Sequence, residues 1–254
     1  NHIAKWNGTS WSALDKGLDG RVDALVVSGT DVYAGGGFNG VGTGGTVVAG
    51  LNVIAKWNGI AWSSLDKGLN NSVLTIAFDG IDVYVGGDFT AVGAGGIAVV
   101  GLNRIAKWDG TAWSPLDKGL GFIVRALAVS GTDLYAGGEF SAVGSGGTVV
   151  AGLNKIAKWN GTAWSALDKG LNSVVRALAV SGTDLYVGGD FTGVGSGGTA
   201  VAGLNGIAKW NGIAWSPLDM GLNNLVRTLA VGGANVFAGA EFTGVGVGGA
   251  IVVG

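Results

Sequence analysis

Ten tryptophans recur in this chain as pairs, as in IAKWNGTAW at Ile156–Trp164. The second member of each pair is Trp11, Trp62, Trp113, Trp164 or Trp215. An indole beside polar groups can stack on a sugar ring, and it can equally serve as a slab for packing one β-sheet on another. The remaining side chains with chemistry to offer are three arginines, Arg125, Arg176 and Arg227, at a position that reads Asp23 and Leu74 earlier in the chain. A second position carries the acids Asp88, Glu139, Asp190 and Glu241, but Gly37 in the first copy. Arginine–carboxylate pairing is the economical expectation, costly to break where buried. The functional alternative is a site for a small anion or a sugar.

Catalysis is hard to build from this inventory. Acid–base and nucleophilic chemistry need non-equivalent groups gathered in one place, whereas near-identical repeats deliver the same group five times. The singular residues His2, Met220, Phe78 and Phe122 form no constellation. No cysteine is present and His2 is the lone histidine, so thiolate sites and two-histidine metal sites are excluded. The repeated Asp-Lys-Gly-Leu segments (Asp15-Lys16, Asp66-Lys67, Asp117-Lys118, Asp168-Lys169, and Asp219-Met220 in the last copy) supply one carboxylate each. Calcium needs several convergent oxygens, so these segments read as solvated turns. The GSGG segments lack the Lys-Ser/Thr and the helix of a phosphate loop. The expectation is a protein without catalytic residues, cofactor or metal.

Composition narrows the partners. Charged residues are 13% of the 254, about half the usual ~25%. With net charge −2 and pI near 5.3 there is no basic field to attract nucleic acid. No run of ~18 apolar residues exists, so no membrane-inserting helix is expected. No signal peptide is visible and the first residue is not Met, so the chain reads as a mature product or a piece cut at a repeat boundary.

What must position these side chains is a repeat. IAKW begins at Ile3, Ile54, Ile105, Ile156 and Ile207, a strict period of 51 residues. The chain divides into 1–51, 52–102, 103–153, 154–204 and 205–254 as one domain spanning 1–254. The third and fourth copies differ at about a fifth of their positions, which implies recent amplification of one unit, or design. Each copy holds four short strands: A (VRALAV), B (DLYVGGDF), C (IAKW) and D (TAWSAL). A and B flank Ser-Gly-Thr, and C and D flank Asn-Gly, a strong hairpin signal. Four strands per repeat of this length predict an all-β, five-bladed β-propeller of four-stranded blades. Because the chain starts at strand C and ends after B, the ring is expected to close through a 2+2-strand blade from both termini. Closure buries edges that an open array leaves bare.

The string IAKWNGTAWSALDKGL…VRALAVSGTDLYVGGDFTGVG resembles Kelch-like propeller repeats of bacterial secreted and surface proteins. It is also similar to fungal cortical polarity-marker repeats, with the pattern F-x-x-x-G…N-x-I-A-x-W-x-G-x-x-W-x-x-L. Blade number and tryptophan richness resemble tachylectin-type five-bladed lectins. The resemblance covers the whole chain and implies a fold, with no catalytic residues to carry over, and an extracellular or cell-surface location.

Three functional expectations follow: a non-enzymatic structural, assembly or adhesion scaffold; a multivalent glycan-binding module; or a designed or ancestral-type propeller with no function beyond folding. Self-association through the Gly/Val-rich B–C loops, and glycans bound at the tryptophans, are the expected partners. In those loops Leu51, Leu102, Leu153 and Leu204 either tuck back into the blade or join a ring-shaped apolar patch. The lysines Lys5, Lys56, Lys107, Lys158 and Lys209 are expected to pair with Asp31, Asp82, Asp133, Asp184 and Asn235 at the head of strand B. With Asn160-Gly161 as a two-residue turn, Trp159 should oppose Thr162 and Ala157 should oppose Trp164. That register puts the two indoles diagonally on one face, toward the next blade.

Overall fold

The computed structural model describes residues 2–46 and 48–246. Packing divides the chain into two compact units, Asn1–Gly119 and Leu120–Gly254. Both are built from repeated antiparallel sheets, and among the described residues no helix occurs. No helix is therefore long and apolar enough to cross a membrane.

In the first unit, β1 (Ala4–Trp6) and β2 (Trp11–Ala13) form a two-stranded sheet. Two four-stranded blades follow. One is β3 (Arg21–Ser28), β4 (Asp31–Gly37), β5 (Ile54–Trp57) and β6 (Trp62–Ser63). The other is β7 (Val73–Phe78), β8 (Val83–Gly87), β9 (Ile105–Trp108) and β10 (Trp113–Ser114). In each, strands pair in chain order, the A–B–C–D meander of a propeller blade.

The second unit repeats this plan. Its first blade is β11 (Val124–Ser130), β12 (Asp133–Gly138), β13 (Ile156–Trp159) and β14 (Trp164–Ser165). Then come β15 (Val175–Ser181), β16 (Asp184–Gly189), a small hairpin of β17 (Gly193–Val194) and β18 (Thr199–Ala200), β19 (Ile207–Trp210) and β20 (Trp215–Pro217). The unit ends with β21 (Val226–Gly232) paired to β22 (Asn235–Ala240).

The A–B turns behave as the Ser-Gly-Thr signal implies. Ser181 opposes Asp184, and Gly182 at the first turn position has φ of +59°, the II′ requirement that glycine meets without strain. The C–D turn departs from expectation. Trp159 opposes Trp164 and Lys158 opposes Ser165, so the loop is four residues, Asn160 to Ala163, and not two. The Asn160 side-chain oxygen accepts the backbone N–H groups of Thr162 and Ala163, both at 2.9 Å. This Asx cap satisfies the wider turn locally, and the two tryptophans face each other directly.

The B–C loops are not structureless. In blade β3–β6 the N–H and C=O groups of Val41 and Thr46 pair reciprocally, at 2.9 and 3.0 Å, and β17–β18 is the same feature in extended form. Leu51, Leu102, Leu153 and Leu204 are all buried, so these leucines tuck into the blades. The cores are built from one residue per repeat position: Phe38, Phe89, Phe140 and Phe191 are among the most completely buried side chains.

Candidate functional site

The paired indoles are stacking elements first. Their centroids lie 5.1 to 5.5 Å apart with interplanar angles of 49° to 53° in all five pairs, within the preferred range for tilted aromatic contacts. The strand-D indole N–H reaches back to the preceding repeat. Trp62 donates to the Leu14 carbonyl at 3.0 Å, Trp113 to Leu65 at 3.1 Å and Trp215 to Leu167 at 3.1 Å, each 48 residues away. Trp62, Trp113 and Trp164 are buried, with 6 to 8% of their surface exposed. Those three offer no free face to a sugar. Trp11 is 70% exposed. Trp215 is half-buried and lines a 400 Å³ pocket with Asp168, Lys169, Thr199 and Ile213.

The three arginines sit on a structural device invisible in the sequence. Strand A carries a β-bulge between Val124 and Ala126, Val175 and Ala177, and Val226 and Thr228. The skipped residue in each case is the arginine, and a bulge re-aims its side chain out of the regular alternation. Arg125 is thereby turned onto Glu139, with Nε 2.6 Å from Oε1. Arg176 grips Asp190 in a bidentate fork, 2.6 and 2.7 Å, and Arg227 donates to Glu241 at 2.5 Å. The hydrogen bonds that Arg176 donates to Asp190 raise the guanidinium pKa above its ordinary value, with the charges of Glu139 and Glu241 adding to the effect. Where the chain has Asp23, Arg21 pairs with it at 2.7 Å. Pairing within blades is what the structure shows at these positions.

The lysine–aspartate expectation holds in four blades: Lys56–Asp31 at 2.6 Å, Lys107–Asp82 at 2.7 Å, and Lys158–Asp133 and Lys209–Asp184 both at 3.0 Å. The Asp31 hydrogen bond raises the Lys56 pKa against the opposing pull of burial.

One position escaped the sequence reading. The residue immediately before strand C is His2, Val53, Arg104, Lys155 and Gly206 in successive copies, and in all five φ lies between +57° and +66°. The backbone path is therefore shared, and only the side chain differs. Arg104 donates to the Asp88 carbonyl at 2.6 Å and to its carboxylate, while Lys155 donates to the Glu139 carbonyl at 2.9 Å. At Gly206 the side chain is missing, and a 410 Å³ pocket lies there, lined by Asp190, Phe191, Thr192, Asn205, Asn223 and Asn224 among others. A residue in the gap between the recurrent Asn and Ile-Ala changes type from copy to copy, so it carries no repeat signal in the sequence.

Among the described residues no cluster of three or more His, Asp or Glu could hold a metal ion. No family model matches the chain. The chain is 34% identical over 139 residues to "Polarized growth protein L1" of Phoma sp., a stretch covering 54% of this chain and 10% of that protein. Of solved structures, the extracellular domain of what is described as a one component system from B. thetaiotaomicron aligns with a TM-score of 0.53 and 12% identity. That alignment covers 87% of this chain and 26% of the other. The computationally designed Ika8 protein aligns with a TM-score of 0.47 and 18% identity, covering 91% and 71% of the two chains. The chain thus spans a small fraction of its curated relative, and what the comparisons support is a propeller-like repeat fold.

Proposed function

We propose that this chain is a non-enzymatic scaffold of stacked propeller blades, displayed at a cell surface or outside the cell and serving assembly or adhesion. The observation that carries this reading is the interlock of repeats: the strand-D indoles of Trp62, Trp113 and Trp215 are each pinned to a carbonyl 48 residues back. Lys56, Lys107, Arg125 and Arg176 are likewise engaged in repeat-wise pairs. Side chains used this way make identical rigid modules, not a reaction centre. Apolar groups left on the B–C loops, Ile97 and Val100 in the first unit and Val149 in the second, are 50%, 95% and 80% exposed and suit shallow apolar contacts with a further copy. The growth-polarity name of the Phoma relative agrees with a structural role. Analytical ultracentrifugation of the chain and of the variant Val100→Ser/Val149→Ser tests it. Concentration-dependent association that the variant loses is expected, and a strictly monomeric parent at high concentration refutes self-assembly.

A second reading, glycan binding, is favoured by Trp215 alone. Its half-buried indole lines a pocket with the polar groups of Asp168, Lys169 and Thr199, and stacking plus flanking hydrogen bonds is the usual basis of sugar recognition. Saturation-transfer NMR with simple hexoses, read against Trp215→Ala, tests it. Transfer that survives the substitution would place any sugar elsewhere.

A further inference from the structure

We propose that the pocket over Gly206 binds a small organic cation, a primary ammonium or guanidinium head on a short alkyl stem.

The repeats themselves supply the template. In two blades the residue immediately before strand C is cationic and seats its head on the backbone carbonyl of the acid that follows strand B: Arg104 on Asp88 and Lys155 on Glu139. Where the acid is absent the cation is absent too, because Gly37 accompanies Val53. Acid and cation therefore come and go together in three copies. The fourth copy breaks the rule. Asp190 is retained, but Gly206 stands where the cation should be.

The backbone path of the seat survives the loss of its occupant, with the Asn224 carbonyl oxygen 2.7 Å from where a Cβ on Gly206 would lie. Gly206 keeps the φ of its counterparts, +66° against +63° at Lys155. Its N–H still donates to Phe191 at 2.8 Å, as that of Lys155 does to Phe140. What remains is an open space of 410 Å³, room for a few-carbon amine. Its polar end is Asp190, and its apolar lining comes from Phe191, Leu222 and Leu225. A lysine stem needs such an apolar wall with a charged group at its end.

The arginine on Asp190 does not preclude a second cation. In the preceding blade Glu139 holds Arg125 through its carboxylate while its carbonyl accepts Lys155. Asp190 holds Arg176 through both carboxylate oxygens, which leaves the same carbonyl role to be filled. Gly206 has no side chain with which to fill it.

The same head group is carried by a free amine or by a lysine side chain of a peptide. Titration of the intact chain with n-butylammonium, methylguanidinium and Nα-acetyl-lysine amide, followed by chemical-shift changes at Gly206 and Asn224, separates these sources. The neutral n-butanol serves as the isosteric control. Saturable 1:1 binding at least tenfold tighter than that of n-butanol is expected. The decisive variant is Lys155→Gly, which vacates the equivalent seat at a φ that glycine adopts freely. It should raise the stoichiometry from one site to two. Failure of the parent chain to distinguish ammonium from alcohol overturns the proposal, and so does a Lys155→Gly chain that still binds one equivalent or none. Neither result bears on self-association, which is read by sedimentation.

Discussion

A Cβ added to Gly188 in β16 would lie 2.6 Å from Cγ1 of Val226, the first residue of β21 in the next sheet. The same approach recurs between Gly137 and Val175, and between Gly35 and Val73, at 2.3 and 2.4 Å. In these three places strand B gives up a side chain so that the following strand A can seat a fully buried valine. Gly188→Ala is expected to destabilise the fold by about 1–3 kcal/mol through overpacking, measured by urea denaturation. Gly197→Ala, where a Cβ meets nothing within 4 Å, should be close to neutral.

The indole interlock makes a separate prediction. Trp113→Phe retains an aromatic ring against Trp108 but removes one of two donors to the Leu65 carbonyl, which keeps the Gly68 N–H at 3.0 Å. Losing one such hydrogen bond while the acceptor keeps another costs about 0.5–1.5 kcal/mol. Thermal denaturation should show that loss for Trp113→Phe, and an unchanged melting temperature would mean that the hydrogen bond is replaced by water.

Asp109 caps its C–D turn by accepting from the N–H groups of Thr111 and Ala112 and from the Thr111 hydroxyl, at 2.7 to 2.8 Å. The Ala112 N–H foremost, with the two Thr111 donors, pulls its pKa down to about 2 from the ordinary 3.8. A depressed carboxylate stabilises the fold above the unfolded-state value, and that contribution is lost as pH falls through about 2. Carbon-13 NMR of the Asp109 carboxyl should titrate with a midpoint near 2. Asp109→Asn should abolish this titration and leave the fold intact, since Asn7, Asn58, Asn160 and Asn211 cap the equivalent turns.

The Arg176–Asp190 fork lies at a partly exposed site, with about a quarter of each side chain accessible. Arg176→Lys keeps the charge but loses the paired geometry. A cost of about 1 kcal/mol or less is expected, shrinking as salt is raised. A loss that does not depend on salt would point to packing of the guanidinium, not to its charge.

Much of this was legible in the residues. The 51-residue spacing of IAKW located strand C in every copy, and alternation around it placed both tryptophans on one face. The lysine of strand C and the aspartate heading strand B were matched from position alone, because adjacent antiparallel strands leave little choice of neighbour. The Asn-Gly dipeptide misled in one respect. It marks a turn, but the asparagine side chain caps two further N–H groups, which favours four residues over two and sets the tryptophans face to face.

Local pattern and period, then, determined the all-β class, the four strands of each repeat and the lysine–aspartate pairs, since these depend on near neighbours and a fixed alternation. Tertiary structure decided the rest. The bulge that turns Arg125, Arg176 and Arg227 onto their acids arises from ladder pairing, not from any residue's own preference. The closeness of Gly188 to Val226 belongs to sheet stacking. The pocket beside Gly206 has a polar end because Asp190, sixteen residues earlier, is brought to its wall by the fold. A missing side chain acquires meaning only once its neighbours are known.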